Sequence, residues 1–232
     1  RDWSSDVCSS DLLTQNIAHE LKTPVASIRG YTETLLDHPD ISGEQQRQFI
    51  LRTHTQAERL TALLQDVSTL NRMDYAPEQL TKHEEDISQL VNDIAQETAH
   101  ALKANDMTLC NRLPEGIRLK GNITLLYSIF RNLMDNAINY AGRGSAIEIT
   151  ADEQPRHWHF TFSDNGQGIA TEHLTRIFER FYRIDKGRSR QLGGTGLGLS
   201  IVKNAVLLHG GTITAHPTPG GGLSFQFTLR KG

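Results

Sequence analysis

The sequence has few cysteines, no long apolar run and little charge imbalance. Its two cysteines, Cys8 and Cys110, are too few for a disulfide framework and show no metal-ligand spacing, which indicates a reducing compartment. No apolar run approaches the roughly 20 residues that cross a bilayer. Lys and Arg total 24 against 27 Asp and Glu, and a net charge of -3 gives no reason to expect a nucleic-acid partner. We therefore expect an ordinary soluble globular protein of one or two domains.

Residues 1–12 differ in composition from the rest of the chain and show no periodicity. We interpret this stretch as a non-native scar, similar to a translated cloning adaptor. On that interpretation the natural protein continues upstream. We then expect the chain to be the cytoplasmic portion of an inner-membrane protein, whose sensor and membrane-spanning segments are missing here.

Glycine is scarce in the first half of the chain. Only Gly30 and Gly43 of the 19 glycines precede residue 116, which predicts a helical first part and a turn-rich second part. We predict a helical hairpin at 13–74, a linker at 75–80 and a second domain at 81–232. Two helices cannot bury both of their apolar faces, so we expect a homodimer that forms a four-helix bundle.

Apolar periodicity predicts the elements of both parts. The predicted helices span 14–36, 42–73, 86–104, 122–140 and 197–208, with Ser42 as the N-cap of the second. Strands are predicted near Leu109 and Ile117, and at 146–151, 157–163, 212–215 and 223–229. The second part therefore reads as a mixed sheet with helices on one face, an α+β arrangement.

The stretch Thr14–Leu36 places His19 on the polar side of an amphipathic helix. The apolar spacing continues through Pro24, which favours one long kinked helix over a new helix that begins there with Thr23 as its cap. Glu20 points about 100° away from His19 and reaches the imidazole only by bending sideways. If Glu20 accepts from Nδ1–H, Nε2 is left as a nucleophile. Taken alone, the pattern fits a solvated surface histidine better.

The predicted helix over Asn122–Tyr140 carries asparagines on one face. Asn132 and Asn136 lie four residues apart, opposite an apolar face, although asparagine is a poor residue for a helix interior. Amide oxygens are hard, neutral ligands that suit a Mg²⁺ ion bound to phosphate. The pattern favours such a site over a solvated face, which would more often carry Lys and Glu.

Two glycine-rich motifs follow. DNGQGI (164–169) ends a predicted strand, where Asp164 could accept from an adenine amine while Gly166 and Gly168 let the backbone approach the ring. A hairpin turn is the alternative for this motif. GGTGLGLSIVKNAV (193–206) begins a helix whose free N–H groups could bind phosphate. It is neither a Rossmann fingerprint nor a P-loop.

The segment between these motifs is aromatic and then cationic. TEHLTRIFERFYRID (171–185) is predicted to be helical, with Phe178 and Phe181 as anchors. The cations that follow could close over a triphosphate or could belong to a disordered loop. They are Arg183, Lys186, Arg188 and Arg190.

The ordered motifs HELKTP, NLMDNA, DNGQGI, IFERFYR and GGTGLGL resemble the H, N, G1, F and G2 boxes of bacterial sensor histidine kinases. The resemblance covers residues 13–232. It implies a dimerising helical hairpin followed by an α/β sandwich of the Bergerat type that binds ATP and Mg²⁺. It also implies phosphoryl transfer to an aspartate of a response regulator, and phosphatase activity on that regulator.

The resemblance also assigns roles to single residues. His19 is implied to be the phosphoacceptor, Glu20 its acidic assistant, and Thr23 the residue that positions water for dephosphorylation. Asn136 and Asn132 are implied to hold Mg²⁺. The residues implied to bind the nucleotide are Asn132, Asn136, Asn139, Asp164, Gly166, Gly168, Phe181, Arg183, Gly194, Thr195, Gly196, Leu197 and Gly198.

One position departs from the family pattern. Asn139 stands where the family usually has Lys or Arg, which leaves open whether Arg143 or the cationic segment completes the phosphate site. A conformational ATPase on the same fold is one alternative, but related ATPases carry a glutamate at Asn132, and a neutral amide cannot take a proton from water. A pseudokinase scaffold is another, but the motifs are intact except at 139.

Overall fold

A computed structural model of the chain describes residues 3–185 and 194–231, with side chains from residue 15 onward. The chain divides into two compact units. One consists of Arg1–Thr69 with Asp185–Leu197, and the other of Leu70–Ile184 with Gly198–Gly232. The predicted order of a helical part and then a mixed α/β part is confirmed.

The first unit contains the helix α1 (Trp3–Asp37) and most of α2 (Gly43–Tyr75). α1 continues through the buried Pro24, as the apolar spacing predicted. Thr23 caps no new helix, because its hydroxyl donates to the carbonyl of His19 at 3.3 Å. The helix begins at Trp3, ahead of residue 13, and the interpretation of residues 1–12 as a scar stays a prediction.

A capping box begins α2. The Ser42 hydroxyl accepts from the Gln45 amide at 3.3 Å, and the Ser42 amide donates to the Gln45 side-chain oxygen at 3.2 Å. These reciprocal bonds satisfy backbone N–H groups that have no partner within the first turn. Ser42 was the cap that the sequence predicted.

The second unit is built on a five-stranded sheet and a separate two-stranded ladder. In chain order the strands are β1 (His83–Asp86), β2 (Thr108–Arg112), β3 (Arg118–Gly121), β4 (Ala146–Glu153), β5 (His157–Asp164), β6 (Ile213–Pro217) and β7 (Leu223–Arg230). The large sheet has the order β2-β4-β5-β7-β6, with β2 and β4 parallel and the other neighbours antiparallel. The ladder pairs β1 with β3, and β1 was not predicted from the sequence.

Three helices complete this unit: α3 (Ile87–Ala104), α4 (Ile123–Tyr140) and α5 (Gly198–Leu208). Phe130 of α4 contacts Phe160 of β5 and Phe227 of β7, with ring centroids 5.5 and 5.7 Å apart. α4 therefore buries its predicted apolar face against the sheet. Within residues 3–185 and 194–231, no helix combines the length and apolarity needed to span a membrane.

The segment after β5 corrects one expectation. Residues 171–185 do not form an extended helix; Thr171–His173 and Arg176–Phe178 each form a single 3-10 turn. Neither turn has a side-chain cap, and Phe178 turns inward to meet Phe225 at 6.1 Å. Phe181 then adopts a left-handed backbone (φ 63°), which no α-helix can contain.

A buried histidine joins the end of α5 to the start of α4. His209 is 4% exposed, and its Nε2 accepts from the Asn122 amide at 3.0 Å while its Nδ1 donates to the Ala205 carbonyl at 2.7 Å. An imidazole that makes both bonds is neutral. Burial lowers the pKa of His209; the Ala205 carbonyl opposes this shift, and Lys82, bonded nearby to the Leu208 carbonyl, reinforces it.

This pair of bonds predicts sensitivity to acid. The pKa of His209 is lowered in the folded chain, so the unfolded chain takes up the proton first, and stability is lost as the pH falls below about 6.5. His209→Gln should reduce the decline of stability with falling pH. It should also lower the free energy of unfolding by about 1–3 kcal/mol at neutral pH, because a buried backbone group loses its partner. Denaturant unfolding between pH 5 and 8 measures both effects. The exposed His100→Gln is the control, and an equal change there would contradict the assignment.

Candidate functional site

In the first unit, His19 is exposed and its neighbour Glu20 is not. The side chain of His19 is 67% exposed and that of Glu20 is 13% exposed, with Nδ1 3.7 Å from Oε1. The other oxygen, Oε2, lies 3.5 Å from Nη2 of Arg59 on α2. Glu20 thus bends sideways toward the imidazole, and Nε2 is the ring nitrogen directed away from the carboxylate.

A shallow pocket lies beside His19 on α1. It has a volume of about 470 Å³ and is lined by His19, Lys22, Thr23, Ala26 and Ser27. Its wall is formed by successive turns of this single helix. The hydroxyl of Thr23 donates to a backbone carbonyl, so its lone pairs can still accept from water.

The asparagines of α4 face away from the sheet. Asn132, Asn136 and Asn139 are all partly exposed, whereas the apolar face of the same helix is buried. The Nδ2 of Asn132 donates to the Ser128 carbonyl at 2.8 Å, which directs its amide oxygen elsewhere. A Cβ at Gly198 would lie 2.6 Å from that oxygen, so the amide oxygen of Asn132 faces Gly198, the first residue of α5.

Asp164 ends β5 on the side of the sheet that α4 covers. Strand residues alternate between faces, so Asp164 shares a face with the buried Phe160 and Phe162. Asp164 is 7% exposed, and burial raises the pKa of its carboxyl above the usual value. N–H groups of Gly166, at 2.9 Å, and Leu223 oppose this shift. A carboxylate has about four lone-pair sites, so it can accept a further donor from a ligand.

The loop after Asp164 packs backbone against backbone. A Cβ at Gly166 would lie 2.2 Å from the Ala141 carbonyl oxygen, and one at Gly168 would lie 2.8 Å from the Gly222 carbonyl oxygen. No side chain fits in either place without a shift of the main chain. The two glycines are therefore required by close approach of one backbone segment to another, whereas their proposed approach to an adenine ring stays a prediction. The loop is not a simple two-residue hairpin.

The segment before the cationic stretch is held on both sides of Phe181. Arg180 donates to both carboxylate oxygens of Asp74 at 2.9 and 2.7 Å. Tyr182 bonds through its hydroxyl to His173 at 2.7 Å, and the Arg176 guanidinium lies 4.4 Å from its ring centroid. These contacts fix the direction of the chain that leads to Arg183, whose side chain is partly buried.

The second glycine motif makes a bond that the sequence did not indicate. In the first unit, the Thr195 hydroxyl donates to Asp66 of α2 at 2.7 Å and accepts from the Leu197 amide at 3.2 Å. Burial raises the pKa of the Asp66 carboxyl, and the bond from Thr195 opposes that shift. Gly194 and Gly196 flank Thr195, and Gly196 has a left-handed backbone (φ 76°).

The candidate cations fall into three cases. Arg143, one of the expected substitutes for a cation at 139, is 70% exposed and pairs instead with Asp106 at 2.5 Å. Lys186, Arg188 and Arg190 lie outside the described residues. Of the residues that the structure does describe, Arg183 is the cation of this segment that remains a candidate.

Arg59, Asp66 and Asp74 were missed by sequence reasoning. All three lie on α2, far in sequence from the residues they contact. A helix with many exposed charges gives no local signal for the ones that pair. These residues are identified only by contacts in the structure between positions that are distant in sequence.

Two family models match the chain. The His Kinase A phospho-acceptor domain matches residues 9–76, and the histidine kinase-, DNA gyrase B- and HSP90-like ATPase matches residues 121–232. The first match contains His19, and the second contains the asparagine face and both glycine motifs. Together they cover most of the chain.

Curated relatives resemble the chain along most of its length. It is 36% identical to the sensor protein kinase WalK of Staphylococcus saprophyticus over 217 residues, which are 92% of this chain and 35% of that protein. It is also 36% identical to the sensor-like histidine kinase SenX3 of Mycobacterium bovis over 214 residues, 92% of this chain and 52% of that protein. The chain thus spans about half or less of the length of these relatives.

Solved structures share the fold. The histidine kinase AdeS of Acinetobacter baumannii matches with a TM-score of 0.73 and 23% identity, over 92% of this chain and 98% of that chain. Histidine kinase ThkA, crystallised in complex with the response regulator protein TrrA, matches with a TM-score of 0.77 and 21% identity, over 100% of this chain and 65% of that one. At these identities the likeness concerns the fold.

The surroundings of Asp164 predict the effect of its amide analogue. Asn offers one oxygen where Asp offers two, and that oxygen would already serve the two backbone N–H groups. Asp164→Asn should therefore weaken binding of an ATP analogue by about 1.5–3 kcal/mol, the worth of a hydrogen bond to a charged group. Calorimetric titration measures the affinity. Asp152→Asn, at an exposed position of β4, should bind normally, and normal binding by Asp164→Asn would exclude contact with the base.

Proposed function

The chain belongs to the sensor histidine kinases, and from that premise we propose that it phosphorylates His19 from Mg-ATP and passes the phosphoryl group to an aspartate of a response regulator. The observation that carries this proposal is the arrangement at His19. An exposed imidazole has a partly buried carboxylate near Nδ1 and a second nitrogen directed away from it. That is what an in-line attack by Nε2 requires.

The transfer step needs only ATP and the imidazole of His19. With the proton on Nδ1, the lone pair of Nε2 attacks the γ-phosphorus, and the bond between that phosphorus and the β,γ-bridging oxygen breaks to release ADP. The ring gains positive charge as the N–P bond forms. Glu20, 3.7 Å from Nδ1, stabilises that charge and can accept the Nδ1 proton.

The second unit supplies the nucleotide site. Asp164 would accept from the adenine amine, and the glycine loops allow the close approach that a flat ring needs. The first residues of α5 offer N–H groups to phosphate. The amide oxygen of Asn132 faces the start of α5, so Asn132 and Asn136 fit a Mg²⁺ ion that neutralises phosphate charge when bound.

The same asparagine argues against an ATP-hydrolysing machine. Asn132 has a neutral side chain, with its nitrogen bonded to the Ser128 carbonyl. An amide cannot take a proton from an attacking water, whereas a glutamate can. The site therefore favours transfer to a histidine over hydrolysis.

Two observations support the proposed partners. Apolar side chains of the first unit remain largely exposed, among them Val25 at 51%, Ile50 at 58% and Leu64 at 52%, which supports a homodimer joined through α1 and α2. The complex of ThkA with TrrA supports a response regulator as the acceptor. A cytoplasmic location within an inner-membrane protein stays a prediction.

His19→Gln tests the phosphoacceptor. The variant should lose labelling from γ-labelled ATP and keep its affinity for an ATP analogue, because it changes no nucleotide-binding residue. Label that is lost in acid and retained in alkali identifies phosphohistidine. His54→Gln is a matched control, since His54 is 69% exposed with Glu58 3.3 Å from its Nδ1. Equal labelling of His19→Gln would contradict the assignment.

Thr23→Ala tests the proposed phosphatase activity. The Thr23 hydroxyl lies one turn from His19 and can orient water without taking part in the attack on ATP. We expect near-normal autophosphorylation and a loss of roughly tenfold or more in dephosphorylation of the phosphorylated regulator. Thr34→Ala removes an equivalent hydroxyl bonded to the Gly30 carbonyl and should change neither rate. An equal loss of both activities in Thr23→Ala would instead indicate that Thr23 shapes the helix.

A further inference from the structure

Glu20 is nearly buried although it follows an exposed histidine. Its side chain is 13% exposed, against 67% for His19. Successive residues of a helix point about 100° apart, so His19 can face solvent while Glu20 faces α2. Arg59 of α2, itself 10% exposed, meets the carboxylate there.

The two oxygens of Glu20 face different groups. Oε2 lies 3.5 Å from Nη2 of Arg59, and Oε1 lies 3.7 Å from Nδ1 of His19. A guanidinium is a planar group with donors in a rigid fork, and a carboxylate is planar too. Holding one oxygen therefore limits the directions that the other can take toward the imidazole.

A second histidine of the same unit offers an internal comparison. His54 is 69% exposed and has Oε2 of Glu58 3.3 Å from its Nδ1, closer than Oε1 of Glu20 is to His19. Glu58, however, is 68% exposed, and exposed pairs of this kind are weak and mobile. What distinguishes His19 is a partly buried carboxylate with an arginine on its far side.

We propose that Arg59 is a positioning residue for phosphoryl transfer, which holds Glu20 so that Oε1 faces Nδ1 of His19. The held carboxylate keeps the proton on Nδ1 and the lone pair on Nε2, the tautomer that attacks phosphorus. In this proposal Arg59 acts on the reaction through its contact with Glu20. This inference rests on the proposed role of His19.

A purely structural role for the pair is the competing explanation. Buried ion pairs are weak evidence for stability, and removal of one partner often destabilises a protein by leaving the other unpaired. A loss of activity in Arg59→Ala would not by itself separate the two explanations. The tests therefore use readouts that loosened packing would not change in the same way.

The first test compares rates and affinities. At saturating ATP, Arg59→Ala should phosphorylate His19 roughly tenfold more slowly or worse, with the KM for ATP unchanged, because the nucleotide site is not altered. Arg59→Lys keeps the charge and should recover part of the rate. Arg52→Ala, seven residues earlier at an exposed position of α2, should match the unaltered chain.

The second test is a double-mutant cycle. If Arg59 acts only through Glu20, Arg59→Ala should have no further effect on the labelling rate in a Glu20→Gln background. Nitrogen-detected NMR of the imidazole should show the Nδ1–H tautomer of His19 in the unaltered chain and a mixture in Arg59→Ala. The spectrum of His19→Gln identifies the signals.

The outcomes separate this inference from the proposed function. If the unaltered chain forms no acid-labile label on His19, the proposed function fails. If it does, and Arg59→Ala labels at the same rate, only this inference fails. Additive losses in the cycle, or an unchanged tautomer in Arg59→Ala, would make the pair structural and would overturn the positioning role.

Discussion

The contact between Phe130 and the rings of Phe160 and Phe227 fixes the geometry of the second unit. Phe160 and Phe227 stack with centroids 5.2 Å apart, and Phe130 meets both edge-on. Residues recur every 3.6 positions on a helix and every second position on a strand. Burying Phe130 therefore turns the asparagine face of α4 outward, and burying Phe160 brings Asp164 to the same side of the sheet.

Helices and strands with a clear apolar periodicity could be predicted from the sequence. Elements without such a periodicity could not. α4, α5 and strands β4 to β7 follow clear apolar patterns and lie close to their predicted positions. β1 reads HEED and is stabilised by pairing with β3, so its own residues give no strand signal. The segment 171–185 resembles a helix in composition, but the left-handed backbone of Phe181 is incompatible with a continuous helix there.

Some of the candidate site residues could likewise be predicted from their local sequence, and others could not. Motifs with a local reason, such as Asn132, Asp164 and the glycines, could be named because their residue types suit neither a helix interior nor a strand end. Arg59 and Asp66 could not, because nothing near them in sequence differs from an ordinary charged helix. Their contacts are with partners 39 and 129 residues away in the sequence.

Two features of the second unit oppose stability. Asp164 is a carboxyl held at 7% exposure, and Phe181 has a left-handed backbone that costs a non-glycine residue about 1–3 kcal/mol. Both are held by neighbours: Asp164 by backbone N–H groups, and Phe181 by the flanking bonds of Arg180 and Tyr182. Such features persist only where the surroundings determine them, which is consistent with a functional site.

His19 and Glu20 show how one helix meets two opposed requirements. In the proposed reaction the nucleophile must be exposed, because it has to meet a nucleotide and then a separate regulator, whereas its assistant must be held still to select one tautomer. Adjacent positions of a helix differ in direction by about 100°, so one residue can be exposed while the next is largely buried. A carboxylate one turn away, as at His54 and Glu58, lies on the same exposed face and gains no such support. The adjacent acid therefore suits a histidine that must be both accessible and correctly protonated.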